Sequence, residues 1–95
     1  HEQVYPAKGV YAVQTLINDQ QYKGIANFGE RPTMGGKKLL FEVHLFDFNQ
    51  DIYGKQLTVQ FLTFIRGEKK FDSFALLAEQ IKKDIQTVKD YHLNK

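Results

Sequence analysis

Apolar and polar residues alternate over four stretches of the chain, with the period of two that is typical of β-strands. Residues 10–17 and 21–28 follow Gly9 and are separated by Asn18-Asp19-Gln20, which favours a turn, so they predict a β-hairpin. Residues 39–48 and 57–65 predict two more strands, joined by the turn-forming segment 49–54 into a second hairpin. Residues 29–38 hold a proline and three glycines and predict an irregular loop.

After residue 73 the spacing of apolar residues changes to that of an amphipathic helix. We predict that this helix begins at Asp72 as N-cap, with Phe71 packed against Leu76. Its apolar face comprises Leu77, Ala78, Ile81, Ile85 and Val88. Strands over about residues 9–65 and a helix over about residues 73–90 predict one domain spanning residues 1–95, mainly β, with the helix outside a small barrel.

The strand predicted over residues 39–48 carries ionisable groups in an apolar run. Because strand side chains alternate between faces, Leu39, Phe41, Val43 and Leu45 are expected to face the core, and Glu42 and His44 share the opposite face with Phe46. A carboxylate kept beside aromatic rings suits a general base. A metal-binding pair and a satisfied polar pocket are the alternatives that the pattern leaves open.

Composition narrows the class of protein. With 95 residues, 42% hydrophobic and 25% charged, the chain suits one soluble domain, and it has no apolar run of the ~20 residues that a membrane span needs. It has no cysteine, which excludes disulfides and favours the cytoplasm. A net charge of +2 does not favour nucleic acid as a partner and leaves anionic small molecules open. The chain begins His1-Glu2-Gln3, and we expect it to be part of a longer polypeptide.

Two loops are further candidates for binding. Residues 29–38 offer glycines, Arg31 and two lysines to a phosphate but lack a known phosphate-binding motif, so a solvated loop is the better interpretation. Residues 66–73 join the last strand to the helix and carry five charged side chains at a position where binding residues concentrate. Ser73 is interpreted as a capping residue and not as a nucleophile, because no catalytic triad accompanies it.

Four segments, taken together, carry a resemblance to a known family. They are KGVYAV at residues 8–13, GIANFGERPTMGG at 24–36, FEVHLFDFNQDIYGK at 41–55 and IRGEKKFDS at 65–73. In order and spacing they resemble the riboflavin kinase (flavokinase) domain, as in the C-terminal module of the bacterial bifunctional riboflavin kinase and FMN adenylyltransferase, also called FAD synthetase. The resemblance runs from about Lys8 to Val88. It implies an antiparallel Greek-key β-barrel, incomplete here with four to five strands, and one C-terminal α-helix.

The resemblance also implies a reaction, the transfer of the γ-phosphate of ATP to the ribityl 5′-hydroxyl of riboflavin with the help of Mg²⁺. The product is FMN, in a protein that also adenylylates FMN to FAD. Glu42 matches the family's catalytic carboxylate and would serve as the general base. The residues that match the nucleotide side are His44, Phe46 and Tyr53, and those that match the flavin side are Arg66, Glu68 and Phe71.

The chain departs from the family in one respect. The family's Mg²⁺- and phosphate-binding segment, with its Pro-Thr-Ala-Asn motif, is not found in residues 1–95, where Pro32-Thr33 is followed by Met34-Gly35. No metal ligand is therefore assigned to this chain, and the 95 residues alone are expected to have negligible kinase activity. Open sheet edges predict pairing between copies, in a dimer without physiological meaning. The alternative to a kinase is a non-catalytic β-barrel module that binds flavin or single-stranded nucleic acid.

Overall fold

The computed structural model describes residues 6–49 and 56–94 of the chain. Its elements in order are β1 (Gly9–Ile17), β2 (Gln20–Thr33), β3 (Gly36–Leu45), β4 (Val59–Gly67) and α1 (Phe74–Leu93). The four strands form one antiparallel sheet in the order β3-β2-β1-β4. The prediction of a mainly β fold with one C-terminal helix is therefore confirmed.

The predicted first hairpin is confirmed, with β1 and β2 paired from Ile17 opposite Gln20 to Gly9 opposite Phe28. The turn consists of Asn18 and Asp19, whose φ angles are 52° and 67°. Positive φ at both central residues matches the right-handed twist of a hairpin, and Asn and Asp tolerate it better than most residues. The local sequence therefore decides this turn.

The prediction of an irregular loop over residues 29–38 is wrong. Strand β2 continues to Thr33, which lies opposite Gly36 of β3, so Met34 and Gly35 form a tight turn. Beyond Phe28, β2 is paired with β3 and not with β1 among the described residues. A proline at position 32 is tolerated because, within the described sheet, only one side of this part of β2 is paired. Gly35 and Gly36 thus mark the turn of a hairpin, and Gly29 lies within β2 opposite Leu40.

The predicted second hairpin is also wrong, because β3 and β4 lie at opposite edges of the sheet. Strand β4 pairs antiparallel with β1, from Val59 opposite Thr15 to Gly67 opposite Gly9. Periodicity shows which side chains share a face, but it does not show which neighbour satisfies a strand's backbone groups. The connection between β3 and β4 is long enough to cross to the other edge, and residues 50–55 of it lie outside the described part.

An aromatic core lies on one face of the sheet. Its buried residues are Tyr11, Val13, Ala26 and Phe28, with Val59 and Phe61 packed against them. The rings of Phe41 and Phe61 lie 4.9 Å apart although they belong to the two edge strands. The sheet is therefore strongly curved, as the barrel prediction requires.

Helix α1 packs across β1, β2 and β4. Its N-cap is Ser73, whose Oγ accepts a hydrogen bond of 3.2 Å from the backbone N–H of Leu76, so the prediction of Asp72 as N-cap is wrong by one residue. Ser73 is the N-cap because its hydroxyl oxygen accepts a hydrogen bond from the backbone N–H three residues later, which is the geometry of an N-cap. With this shift Phe71 is no longer the residue before the cap, and the predicted packing against Leu76 loses its basis.

The buried face of α1 matches the predicted one only in part, since Val88 is buried as predicted but other buried positions were not expected. Its buried residues are Asp84, Val88 and His92, spaced four apart, whereas Ile81 is 46% exposed. The helix is therefore rotated so that two polar side chains face the sheet, where hydrogen bonds must compensate for their burial. In the described part of the chain no helix is long and apolar enough to cross a membrane.

Candidate active site

One row of side chains crosses all four strands on the face covered by α1. Glu42 lies opposite Asn27, Asn27 opposite Val10, and Val10 opposite Arg66. Residues directly opposite in an antiparallel pair project from the same face, with Cβ atoms about 5 Å apart. The candidate base Glu42 and the candidate flavin contact Arg66 therefore stand at the two ends of one row, roughly 14 Å apart along the sheet.

A cavity of about 610 Å³ lies over the Arg66 end of this row. The three residues expected to contact flavin all line it, together with Asn27, whose neighbour in the row is Glu42. The lining consists of Asn27, Arg66, Glu68, Lys69, Phe71, Asp72, Ser73, Phe74 and Leu77. The structure thus brings residues from β2, β4 and the start of α1 together around one volume, of the size that cofactor sites usually have.

Arg66 is held in place by the buried carboxylate of Asp84 on α1. Its Nε donates to Asp84 Oδ1 at 2.8 Å and its Nη2 to Oδ2 at 2.7 Å, while Nη1 donates to the Gly67 carbonyl at 2.9 Å. The hydrogen bonds that Arg66 donates to Asp84 raise the pKa of Arg66, an effect that desolvation opposes and that Coulomb attraction to Asp84 reinforces. The guanidinium is therefore a permanent cation beside the cavity.

The loop between β4 and α1 has two further contacts. Glu68 Oε1 accepts a hydrogen bond of 3.4 Å from the backbone N–H of Glu30 on β2, and Lys69 Nζ lies 5.5 Å from the centre of the Phe71 ring. A cation at this distance from an aromatic ring is attracted to it. Glu68 thus links the loop to the sheet, and Phe71 offers an apolar wall that is only partly exposed.

The expectation that aromatic side chains enclose Glu42 is wrong. Glu42 and His44 are both exposed, and on the opposite face of β3 Phe41 and Val43 are 42% and 38% exposed, with only Leu45 buried. The cause is the position of β3 at the edge of the described sheet, where one side of the strand has no described partner. Glu42 is nevertheless placed next to Asn27, which lines the cavity.

A second cavity, of about 440 Å³, lies at the other end of α1, near two of the residues expected on the nucleotide side. His44 lies 5.8 Å from Phe46, between ring centres, and Phe46 lines this cavity with Lys23, Lys89 and His92. Lys89 Nζ is 5.2 Å from the centre of the Phe46 ring. The expected residue Tyr53 lies outside the described residues.

A metal pair built on Glu42 and His44 finds no support in the described residues, since no group of three or more His, Asp or Glu side chains there could hold a metal ion. Mg²⁺ is normally bound by one or two carboxylates together with substrate phosphates and water. Residues 6–49 and 56–94 therefore do not fit a complete magnesium site.

Reasoning from the sequence missed two residues of the site. Asp84 follows Ile81 by three positions and precedes Val88 by four, so a carboxylate interrupts the predicted apolar stripe. That interruption was a detectable signal for a buried partner of a cation. Asn27 gave no comparable signal, because its role depends on its position opposite Glu42 and on the cavity that it lines.

Comparison with known proteins shows the family of this chain. The family model of flavokinase, described as riboflavin kinase, matches residues 1–92. The bifunctional riboflavin kinase/FMN adenylyltransferase of Haemophilus influenzae is 50% identical over 96% of this chain and 30% of its own length. The corresponding protein of Bacillus subtilis is 40% identical, over the same shares of both chains. The chain thus spans about a third of the length of these relatives.

Two other relatives carry different descriptions. The RNA-binding riboflavin kinase RibR of Bacillus subtilis is 44% identical over 84% of this chain and 35% of its own length. A crystal structure described as a macrolide-efflux protein from Streptococcus pneumoniae superposes with a TM-score of 0.77 and 43% identity, over 90% of this chain and 28% of that one. The matched portion of that structure has the same fold as this chain. With a family model covering nearly all of its residues, this chain belongs to the riboflavin kinase family.

Proposed function

We propose that this domain phosphorylates riboflavin to FMN with ATP, within a longer protein that also adenylylates FMN to FAD. The observation that carries the proposal is the row from Glu42 through Asn27 to Arg66, which ends in a cavity lined by Glu68 and Phe71. Riboflavin is an elongated molecule, with a ring system at one end and a primary hydroxyl at the other. A linear arrangement of a carboxylate and a ring-sized cavity suits such a substrate.

In the proposed complex the ring system occupies the cavity beside Arg66, against Phe71 and the carboxylate of Glu68. The ribityl chain extends past Asn27, so that its 5′-hydroxyl reaches Glu42 at the edge of the sheet. Glu42 accepts the hydroxyl proton as the oxygen attacks the γ-phosphorus of ATP in line. The new P–O bond forms as the bond to the β,γ-bridging oxygen breaks, and ADP leaves.

We place the nucleotide on the side of His44 and Phe46, because the second cavity offers an aromatic ring and the cations Lys23 and Lys89. Tyr53 is proposed for the same side from the resemblance alone. The chemistry that Mg²⁺ supplies in phosphoryl transfer is neutralisation of phosphate charge. We propose that its ligands come from a segment outside these 95 residues, and that the protein acts in the cytoplasm on small molecules.

The test is an assay of the intact polypeptide with riboflavin, ATP and Mg²⁺, in which FMN and ADP are separated by chromatography. We expect one ADP for each FMN formed and no product without ATP. A matched assay of the 95-residue chain is expected to show negligible turnover. Absence of FMN formation by the folded, intact protein would overturn the kinase assignment.

A non-catalytic binding module is the second candidate, and the specific observation in its favour is the relative named as an RNA-binding riboflavin kinase. Phe41 and Phe64 are 42% and 48% exposed, and exposed rings can stack on bases. Titration with single-stranded RNA, followed by fluorescence and combined with the turnover assay, separates the two candidates. Binding of RNA without turnover of riboflavin would favour the module.

A further inference from the structure

The contact between Arg66 and Asp84 joins the proposed flavin cavity to the middle of α1. Two parallel hydrogen bonds, of 2.8 and 2.7 Å, connect the guanidinium to both oxygens of the carboxylate. The side chain of Arg66 is 24% exposed and that of Asp84 is 7% exposed. Asp84 Oδ1 also accepts a hydrogen bond of 3.0 Å from Nε2 of Gln80, one helical turn earlier. Bidentate pairing fixes the plane of a guanidinium as well as its position.

The hydrogen-bond inventory of Arg66 shows what this pairing leaves for a ligand. A guanidinium has five N–H groups. One is donated to each oxygen of Asp84 and one to the Gly67 carbonyl, so one N–H on Nη1 and one on Nη2 are not used in these contacts. Arg66 lines the cavity with Glu68 and Phe71. The direction of its two remaining N–H groups is therefore set by Asp84.

We propose that Asp84 is a positioning residue for flavin binding, which orients the guanidinium of Arg66 toward the ring system of the substrate while Gln80 holds the carboxylate. The inference rests on the proposed function, because it requires Arg66 to contact flavin. It assigns a role to a residue in the middle of the helix, 18 positions after Arg66, that the resemblance did not include.

A purely structural role for the same pair predicts different behaviour. Buried ion pairs are often no more stabilising than apolar residues of the same volume, because both charges lose their hydration. If Asp84 served only to hold α1 on the sheet, its replacement would lower the stability of the protein and leave the affinity for riboflavin unchanged. If it orients Arg66, the affinity must change even under conditions in which the variant is fully folded.

The experiment compares Asp84→Asn with Asp90→Asn in the intact polypeptide. Asp90 is a matched control, because it lies on the same helix and accepts a hydrogen bond of 2.9 Å from Gln86, also four residues earlier, but is exposed and has no arginine among its described contacts. Both substitutions remove one negative charge. We expect Asp84→Asn to raise the KM for riboflavin about tenfold or more, since a charged hydrogen bond is lost. Asp90→Asn is expected to leave it unchanged.

Three further readouts distinguish positioning from folding. For Asp84→Asn the KM for ATP is expected to change less than about twofold and kcat less than about threefold, because the loss concerns riboflavin binding and not ATP binding or the chemical step. A tenfold loss of riboflavin affinity corresponds to about 1.4 kcal/mol. Riboflavin affinity measured by fluorescence quenching, without turnover, should follow the KM. Asp84→Glu, which keeps the carboxylate, should recover part of the affinity.

The double variant Arg66→Gln/Asp84→Asn separates the inference from the proposed function. If Asp84 acts through Arg66, Asp84→Asn has little further effect on the KM once Arg66 is Gln, which cannot form the ion pair. An effect of Arg66→Gln with none of Asp84→Asn would overturn the positioning role and leave the flavin contact of Arg66 in place. Unchanged riboflavin affinity in both single variants would overturn the contact itself. Should Asp84→Asn fail to fold, Gln80→Ala tests the same orientation, with an expected rise in KM of about two- to threefold; no rise would count against it.

Discussion

The two edges of the sheet contrast in how firmly they hold their candidate residues. At the β4 edge, Arg66 is fixed by a bidentate ion pair to α1 and lines a cavity. At the β3 edge, Glu42 and His44 lie on an exposed strand that α1 does not cover to the same extent. The difference indicates that the proposed binding and chemical roles have separate structural supports. The proposed flavin side is held in place by described residues, whereas the proposed base stands at an edge that a further part of the protein could approach.

The largest expected effect concerns the β3 edge. Replacing Glu42 by Gln in the intact protein should lower kcat by about 10²–10⁴-fold, because the substrate hydroxyl loses its proton acceptor. Riboflavin binding, measured by fluorescence quenching, should change little, since the cavity lies at the other end of the row. Glu79→Gln, at an exposed position on α1, is the control and should retain full turnover. Full turnover by the Glu42 variant would remove Glu42 as the base.

The second prediction tests how β3 is held against β2. Gly24 lies so close to β3 that a Cβ atom there would be 2.4 Å from the His44 carbonyl oxygen and 3.1 Å from the Leu45 Cα. Gly24→Ala should therefore lower the free energy of unfolding by about 1–3 kcal/mol, as in other overpacked sites. Gly35→Ala is the control, because a Cβ there meets no atom within 4 Å. Equal midpoints of urea unfolding for the two variants would contradict the close approach.

A smaller effect on stability is expected at the start of α1, where the loop that follows β4 ends. Ser73→Ala removes the side chain that caps the N–H of Leu76 and should cost about 1 kcal/mol of stability. Thr87→Ala is the comparison, because the hydroxyl of Thr87 donates within the helix to the Lys83 carbonyl and alanine is the better helix former. Thermal unfolding of both variants measures the difference. A Ser73 variant as stable as the Thr87 variant would argue against the cap.

The smallest expected effect is a lack of pH dependence at the β4 edge. The pKa of Arg66 is raised in the folded protein, so the stability that this group contributes is fully present at every pH below its ordinary pKa and is lost only as the pH rises through the folded pKa. The difference in unfolding free energy between the native protein and Arg66→Gln should stay constant from about pH 7 to about pH 10. Arg66→Lys should lose its contribution at lower pH, since an ordinary lysine titrates near pH 10.4. A difference that declined within this range for the native protein would contradict the assignment.

Part of the candidate site could be predicted from the sequence. Arg66, Glu68 and Phe71 were expected together from one short segment, and the structure places all three around one cavity. Their grouping follows from adjacency in the chain. The roles of these residues and of Glu42, His44 and Phe46 stay predictions until binding and turnover are measured.

Other parts could not be predicted, for physical reasons. Asn27 belongs to the site because β2 aligns it with Glu42, and a shift of one residue in this register would turn it to the other face. Asp84 belongs to the candidate site because α1 is rotated about its axis so that Asp84, and not only the predicted apolar residues, faces the sheet. Both facts depend on the packing of elements that are distant in the chain.

The sequence by itself determined the types of the elements, the Asn18-Asp19 turn and the segments that carry the family resemblance, because periodicity and turn chemistry act over a few residues. Only the tertiary structure decided that β4 joins β1 and not β3, and that Arg66 meets Asp84. Any free strand edge offers the same backbone donors and acceptors, so the choice between edges depends on how the whole sheet and helix pack together. That choice formed the row from Glu42 to Arg66 and, with it, the candidate site.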